Sequence, residues 1–264
     1  MKKFLKLALR AGSLNFAKSA MQTTPTGAVG QVKYQGKPVH FREGTSDALV
    51  VYEILFKGRR SEYWDARMPA PDDVEVILDI GGNIGAATVF FSERYPAAKI
   101  HTFEPIPGNF SILEKNAGSR ARPGSIQCHA LALSDKDGEL EMIHSPSMAN
   151  NGGWSFYQRG AAGSEEKVSV PVRRSGDFIR SLGLARIDII KIDTEGAEKE
   201  ILFGLDPKQL ATVKYIVGEL HGERDFELLD WLECHGFDIE CKKSFGKPLF
   251  VFKARRVKEI FAEL

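Results

Sequence analysis

A glycine-rich turn with polar residues follows a short apolar segment near residue 80 of this 264-residue chain. The apolar run ends at Asp79, and the turn passes through Gly81, Asn83 and Gly85 into a segment with helical apolar spacing. Glycines let a ligand approach the backbone, and a helix start offers unpaired N–H groups. Asp79 could hold a ligand amine or order the turn. A buried strand that leads through such a turn into a helix predicts a site for a nucleotide-like ligand.

Further acidic and polar side chains follow the later apolar segments. They are Glu104, Ser134 with Asp135, Asp193 with Glu195, and His221. Ligands of open α/β sheets lie at the carboxyl ends of the strands, so these residues are expected to share one rim. Glu104 comes 25 positions after Asp79, close to the roughly 20-residue spacing at which an acid meets a ribose diol. A carboxylate suits two adjacent hydroxyls because it offers two acceptor oxygens.

The turn does not match the dinucleotide fingerprint. The pattern G-x-G-x-x-G needs glycine where this chain has Asn83 and Ala86, and the chain contains no P-loop motif. A ligand with a ribose and an amino acid in place of phosphates fits better, which describes S-adenosylmethionine. One alternative is an NAD(P)-dependent oxidoreductase, disfavoured by the missing glycines and by the lack of an evident Tyr-x-x-x-Lys pair. The other is a non-catalytic binding protein that retains the fold.

Strand and helix patterns alternate from residue 74 onward, which predicts βαβ units and a parallel sheet. The predicted strands are 74–80, 99–103, 125–133, 186–192, 213–220, 237–242 and 248–253. The last two are joined by so short a turn that they must be antiparallel. A mostly parallel sheet with one reversed strand near its end is the architecture of Rossmann-like methyltransferases.

Four sequence blocks in order carry a more specific resemblance. They are 78–85 (LDIGGNIG), 103–116 (FEPIP followed by NF and L…N), 132–138 (ALSD…G) and 190–198 (IKIDTEGAE). With these blocks the chain resembles an FkbM-type methyltransferase, a branch of the class I S-adenosylmethionine-dependent enzymes. The resemblance implies an α/β, Rossmann-like fold with a mostly parallel seven-stranded sheet, one antiparallel strand near the C-terminus and helices on both faces. It also implies methyl transfer, often to an oxygen of a sugar or a natural product.

The resemblance also implies roles for the residues around the turn. Glu104 would hold the ribose hydroxyls, and Asp135 would sit near the adenine with Ser134 beside it. The methionine part of the cofactor would be lined by Asp79, Gly81, Asn83 and Gly85.

Asp193, Glu195 and His221 are the candidates for catalysis. A hydroxyl acceptor loses its proton as its oxygen attacks the methyl carbon, so a general base within hydrogen-bond reach would help. His221 has a suitable unperturbed pKa, and Asp193 or Glu195 competes with it. The competing interpretation is structural, because acids at this position favour the positive end of the following helix. Asp193, Glu219 and His221 could bind a divalent cation if they converge, but no metal is predicted.

Residues 1–72 are interpreted as an N-terminal extension and 73–264 as the S-adenosylmethionine-binding methyltransferase domain. The segment 1–21 predicts an amphipathic helix with one apolar side, formed by Phe4, Leu5, Ala8, Leu9 and Ala11. A linker or weak hairpin is expected over 22–36, and a further helix over 48–56. Glu62 and Tyr63 could close over the cofactor, and the loop 150–154 could form part of an acceptor lid.

Charge and composition restrict the partners. The net charge of +1 gives no support to a nucleic-acid partner. The acceptor that the family resemblance implies is a small molecule or a glycan. Eight basic residues and no acid precede Glu43. Such a basic arm could contact a membrane surface, an acidic partner or a nucleic acid, or it could be a solvated leader. The three cysteines match no zinc motif and predict buried free thiols in a reducing compartment, hence a cytoplasmic protein. The apolar spacing of the tail 255–264 predicts a packing or dimer helix.

Overall fold

The computed structural model of the protein describes residues 2–22, 24–120, 122, 124–144, 166–184, 186–243 and 249–257. The chain opens with two short helices, a hairpin and a third helix that continues as a π-helical turn, Tyr52–Phe56. These elements are α1 (Lys2–Ala11), α2 (Leu14–Ser19), β1 (Val29–Tyr34), β2 (Lys37–Arg42) and α3 (Asp47–Val51). Part of the predicted linker is therefore strand β1.

The remaining elements follow in βα order. They are β3 (Val76–Ile80), α4 (Ala86–Arg94), β4 (Lys99–Phe103), α5 (Pro107–Gly118), β5 (Ile126–His129), β6 (Ala132–Ser134), β7 (Gly138–His144), β8 (Glu166–Arg174), α6 (Ser175–Ser181), β9 (Ile189–Ile192), α7 (Glu198–Phe203), α8 (Pro207–Thr212), β10 (Tyr215–Leu220), α9 (Glu227–Cys234), β11 (Phe237–Lys243) and β12 (Phe250–Arg256). Short 3-10 turns lie at Gly58–Arg60, Pro71–Asp73 and Glu223–Phe226.

Seven strands form the main sheet in the order β11-β12-β10-β9-β3-β4-β5. The pairs within β5-β4-β3-β9-β10 are parallel, whereas β12 runs antiparallel to both β10 and β11. The order reverses at β3, which places the glycine turn at the switch point where ligands of such sheets bind. The predicted class I methyltransferase fold is confirmed.

Helices cover both faces of this sheet. Consecutive strand residues point to opposite faces, and Ile189 and Ile190 accordingly join two different buried clusters. The cluster around Ile189 includes α4 through Phe91, and the cluster around Ile190 includes α7 through Ile201. Near-continuous burial of β3 and β9 on both faces explains their apolar composition.

The N-terminal extension shares one of these clusters. Leu7, Phe16 and Phe41 are buried together with Phe91 of α4. The apolar side predicted for the first helix is therefore partly wrong, because Leu5 and Leu9 face away from the core and are exposed. The packed side of α1 instead runs through Phe4, Leu7, Ala8 and Ala11.

Other expectations also change. The predicted strand 125–133 is two strands, since β5 ends at His129 and β6 joins a separate sheet of order β6-β8-β7. Arg255 and Arg256 end strand β12 rather than beginning a helix. All three cysteines are free, but Cys128 is half-buried and Cys234 and Cys241 are exposed, so the prediction of buried thiols is wrong. The lid predicted at 150–154 and the tail from 258 lie outside the described residues. None of the described helices is long and apolar enough to cross a bilayer.

Candidate active site

A cavity of about 480 Å³ lies at the carboxyl ends of the parallel strands. That volume falls within the roughly 300–1,000 Å³ typical of small-molecule sites. The glycine turn, Glu104 and the segment after β9 line one part of it. One wall comes from the N-terminal extension, through residues that include Val50, Glu53, Ile54, Glu62 and Tyr63. The extension is thus part of the site, as expected for Glu62 and Tyr63.

Three residues of the glycine turn adopt left-handed backbone conformations. Gly81, Asn83 and Gly85 have φ values of +77°, +49° and +83°. The N–H groups of Gly81 and Gly82 both donate to the carbonyl oxygen of Phe103, at 3.0 and 2.8 Å. A Cβ at Gly81 would lie 1.9 Å from the carbonyl oxygen of Asp193. Glycine at 81 is therefore required by the positive φ and by the neighbouring chain segment, and α4 begins only after the turn, at Ala86.

Asp79 lies beneath the turn and orders it. Its side chain is fully buried, accepts a 2.6 Å hydrogen bond from the Thr88 hydroxyl, and lies 3.4 Å from the ammonium group of Lys191. Lys191 also donates to the carbonyl oxygens of Gly81, at 2.5 Å, and Ile80, at 3.3 Å. Of the two roles considered for Asp79, ordering the turn fits these contacts. Sequence reasoning missed Lys191, although a lysine within the apolar run IIKI was the available signal.

Glu104 lies in the cavity wall, almost fully buried. Its carboxylate accepts from the backbone N–H groups of Asn83 and Ile106, at 2.8 and 2.9 Å, and from the Asn109 amide at 3.3 Å. Burial raises the pKa of Glu104, and these hydrogen bonds offset part of the rise. Beside it, the side-chain oxygen of Asn83 is buried without a hydrogen-bond partner among the described residues.

A chain of hydrogen bonds, the relay, connects the N-terminal hairpin to Glu104. Arg42 donates to Asn109 at 2.8 Å, and the two carboxylate oxygens of Asp47 hold Arg42 at 2.7 and 3.0 Å. Asn109 then donates to Glu104. The sequence offered no local signal for this relay, since its members lie up to 67 residues apart.

Ser134 and Asp135 do not line the cavity. The Ser134 hydroxyl donates to Asp135 at 3.1 Å, and the cavity is lined instead by Leu131, Ala132 and Leu133. The reason is topological, because the chain leaves the main sheet after β5 and β6 turns into the smaller sheet. Gly85 is also absent from the lining and serves as the residue before α4.

The other end of the cavity is strongly acidic. Glu62, Asp193, Glu195 and Glu219 all line it. The Tyr63 hydroxyl donates to Asp193 at 3.4 Å. Glu195 has a positive φ of 59°, which is unusual for a residue with a side chain and typical of functional or switch positions.

His221 lies behind these carboxylates, with its side chain 4% exposed, and does not line the cavity. Its Nε2 atom is 3.3 Å from Glu195 and 3.8 Å from Asp193, and its Nδ1 atom is 3.5 Å from Glu198. All three predicted catalytic residues therefore meet, but only Asp193 and Glu195 face the cavity. Glu198 also accepts from the Thr194 N–H at 2.7 Å, which shapes the loop before α7.

The pKa values of this cluster are displaced by burial and by mutual interactions. Burial alone lowers the pKa of His221, but Glu198, Asp193 and Glu195 outweigh it and raise the value to about 9. Burial, with Asp193 and Glu62 nearby, raises the pKa of Glu219 to about 11. Burial also raises the pKa of Asp193, against the attraction of Lys191 and His221. His221 is thus a cation at neutral pH, and Glu219 is a neutral acid.

Asp193, Glu219 and His221 offer one ligand atom each within 4.8 Å of one another. The spacing would allow the three to share a divalent cation. Binding of such an ion would release protons from Glu219 and His221, since metal ligands are deprotonated.

The family model described as the methyltransferase FkbM domain matches residues 79–239, more than half of the chain. This chain belongs to the FkbM methyltransferase family. Methyltransferase 1 of Beauveria bassiana is 30% identical to it over 199 residues, which cover 68% of this chain and 78% of that protein. The 31-O-demethyl-FK506 methyltransferase FkbM of Streptomyces tacrolimicus is 28% identical, covering 67% and 76% of the two chains. Hexuronic acid methyltransferase AglP of Haloferax volcanii is 26% identical, covering 58% and 59%.

Family membership identifies the chain as a methyltransferase. It decides against the two alternatives considered from the sequence, an NAD(P)-dependent oxidoreductase and a non-catalytic binding protein. The matched region begins at Asp79 and includes the glycine turn, Glu104, Asp193, Glu195 and Glu219, whereas Glu62 precedes it.

Proposed function

We propose that this FkbM-family enzyme binds S-adenosylmethionine between the glycine turn and Glu104. It would transfer the methyl group to a hydroxyl oxygen of a sugar or natural-product acceptor. The observation that carries the proposal is the buried Glu104 carboxylate, fixed in the cavity wall by the Asn83 and Ile106 N–H groups. With the Asn109 amide, these donors occupy about three of the carboxylate's roughly four lone-pair positions, so the oxygen that accepts only from Asn83 retains one for a ribose hydroxyl.

The polar and apolar groups that line the cavity suit this cofactor. Glu104 supplies an acceptor for a ribose hydroxyl, and the buried, unpartnered oxygen of Asn83 supplies one for an ammonium group. Leu131, Ala132 and Leu133 provide an apolar surface for a purine ring. Ser134 and Asp135 would act on the adenine only indirectly, through the backbone of β6.

Calorimetric titration with S-adenosylhomocysteine and, separately, with NADH tests the cofactor. We expect micromolar binding of S-adenosylhomocysteine and no binding of NADH; the reverse result would refute the proposal.

The substitution Glu104→Gln tests the ribose-binding residue. It keeps the shape of the side chain but removes the charged acceptor, and should weaken S-adenosylhomocysteine binding about tenfold or more, the cost of a charge-assisted hydrogen bond. Glu114→Gln, on the exposed side of α5, is the matched control and should leave binding unchanged.

At the acidic end, this chain would accept the proton that the hydroxyl loses. When bound, S-adenosylmethionine supplies an electrophilic methyl group, and the carbon–sulfur bond breaks as the carbon–oxygen bond forms. We assign the proton acceptor to Asp193, since it faces the cavity and its raised pKa makes it a stronger base than an ordinary aspartate. His221, already protonated, would hold Asp193 and Glu195 in place rather than act as the base.

Oxygen in an uncharged hydroxyl is the proposed methyl acceptor. A relative named for a 31-O-demethyl substrate supports an oxygen acceptor, and one named for hexuronic acid supports a sugar as the acceptor class. Radiolabelled S-adenosylmethionine with a panel of uronic acid glycosides and macrolide alcohols would reveal the class. We expect label that withstands mild alkali, as an ether does. Label released by alkali would indicate a methyl ester and overturn the assignment to a hydroxyl.

A further inference from the structure

The first helix has apolar side chains on its outer face as well as on its packed face. Leu7 is 1% exposed within the core, whereas Leu5 is 56% and Leu9 is 74% exposed. Leu5 and Leu9 are four residues apart, so they lie one turn apart on the same face of α1. Leu14, which begins α2, is 67% exposed. Packing against the core explains Leu7, but nothing in the described parts of the chain covers the other three leucines.

Exposed apolar side chains are concentrated in this region. Those of the described residues are Leu5, Leu9, Leu14, Met21, Val29, Phe203 and Val257. Four of them belong to α1, α2 and the residue pair that follows. Isolated exposed apolar residues are ordinary, but a group of them is typical of an interaction site.

Basic side chains accompany these leucines. Lys3, Lys6, Arg10 and Lys18 are exposed, and no acidic residue precedes Glu43. Among the described residues, no carboxylate lies within ion-pair distance of these four cations. Basic residues further along pair instead within the fold, as Lys37 does with Glu93 and Arg42 does with Asp47. The surface that carries the leucines therefore bears four exposed cations that no described carboxylate neutralises.

We propose that α1 and α2 form a membrane-docking surface for a bilayer that contains anionic lipid. The docking surface consists of Leu5, Leu9 and Leu14 with Lys3, Lys6, Arg10 and Lys18. Its leucines would enter the boundary between headgroups and acyl chains, and its cations would bind lipid phosphates. A second copy of this chain fits less well, because a two-fold contact would bring the same cations face to face.

The orientation of the docking surface is set by the fold. The inner face of α1 is buried, and Arg10 donates to the Tyr52 hydroxyl at 3.5 Å. The turn that contains Tyr52 also supplies Glu53 and Ile54 to the cavity wall. One helical layer therefore separates the docking surface from the cavity. The residues of the docking surface do not line the cavity, so membrane docking does not rest on the proposed cofactor.

Vesicle flotation of the full chain tests the proposal. We expect the protein to float with vesicles of one-third phosphatidylglycerol and two-thirds phosphatidylcholine, and much less with phosphatidylcholine alone. The double variant Leu5→Glu, Leu9→Glu should lower the partition coefficient at least about tenfold, since each leucine loses its apolar burial. Lys3→Glu with Lys6→Glu should lower it by a similar factor, and high salt should mimic that change.

Matched controls separate docking from general effects. Val257→Glu places a charge on another exposed apolar residue, and Lys115→Glu with Lys136→Glu reverses two exposed cations elsewhere; both should float like the wild type. Thermal melting should be nearly unchanged for the leucine variant, because its side chains are exposed. Equal flotation of the leucine variant and the wild type would overturn the proposal. A second result would also overturn it: a wild type that is a dimer and does not bind vesicles, together with a leucine variant that is a monomer. The surface would then be a subunit contact.

Discussion

The carboxylates at the two ends of the cavity are stabilised in different ways. At the glycine turn, Glu104 accepts from two backbone N–H groups and one amide, and Asp79 lies against Thr88 and Lys191. At the other end, four carboxylic acids line the cavity, and the buried cation His221 stands behind two of them. At the first end Glu104 is held by neutral donors and Asp79 is paired with Lys191, whereas at the second end several carboxylic acids share the cation His221.

This difference separates binding from turnover. Backbone donors are organised before a ligand arrives, so the turn end is suited to holding a cofactor in one pose. Asp193 and Glu219 have raised pKa values, so the acidic end is suited to proton transfer. A substitution at the turn should therefore change affinity or stability, and a substitution at the acidic end should change turnover.

The largest expected effect is on turnover. Asp193→Asn removes the proposed proton acceptor, and kcat should fall by about 10²–10⁴-fold, as general-base catalysis contributes. Affinity for S-adenosylhomocysteine should change by less than threefold or so, since the turn is untouched. Asp230→Asn, exposed on α9, is the control. If Asp193→Asn stayed active while His221→Gln lost all activity at neutral pH, the histidine would be the base.

The substitution Gly81→Ala should destabilise the glycine turn and lower the free energy of unfolding. The new Cβ would meet the Asp193 carbonyl oxygen at 1.9 Å, at a φ of +77°. A left-handed alanine costs roughly 1–2 kcal/mol, and the overlap should bring the loss of unfolding free energy above about 3 kcal/mol. Gly183→Ala isolates the backbone cost, since its φ is +68° and no atom lies within 4 Å. Urea unfolding of both variants measures the difference; equal losses would show that the contact with Asp193 is unimportant.

The acidic end should give a pH-dependent stability. The folded pKa of His221 is raised from 6.5 to about 9, so its contribution is complete below pH 6.5 and is lost as pH rises through 9. The advantage of the wild type over His221→Gln should thus shrink by up to about 3 kcal/mol across that window. Unfolding in denaturant at pH 6.5 and above pH 9 tests this. His129→Gln should show no such narrowing, because burial lowers the pKa of His129 and a lowered histidine pKa makes the folded state lose stability as pH falls, not as it rises. A constant difference for His221→Gln would contradict the assigned charge.

The smallest effect is expected from the relay to Glu104. Arg42→Lys keeps the charge but loses the planar fork that holds Asp47 and Asn109 together. The loss of about 0.5–1 kcal/mol should weaken S-adenosylhomocysteine binding about two- to fivefold. Arg255→Lys on the exposed part of β12 is the control. An unchanged affinity for Arg42→Lys would mean that Glu104 is positioned by the backbone alone.

Local patterns in the sequence were sufficient for the fold and for one end of the site. Strands of apolar residues, helices of regular spacing and a left-handed turn are encoded over a few residues, and Glu104 follows its strand directly. The sequence alone therefore determined the α/β fold, the reversed closing strand, the nucleotide-like site and the family resemblance.

Only the tertiary structure decided which polar groups reach the cavity. Ser134 and Asp135 turn away because β6 pairs with β8, a partner nearly 40 residues distant. His221 is a cation because carboxylates from the segment 193–198 surround it, and the direction of Leu5 and Leu9 follows from the packing of Leu7. Each result depends on contacts between distant segments, whose energies arise only when the chain folds. Short-range sequence patterns do not contain that information.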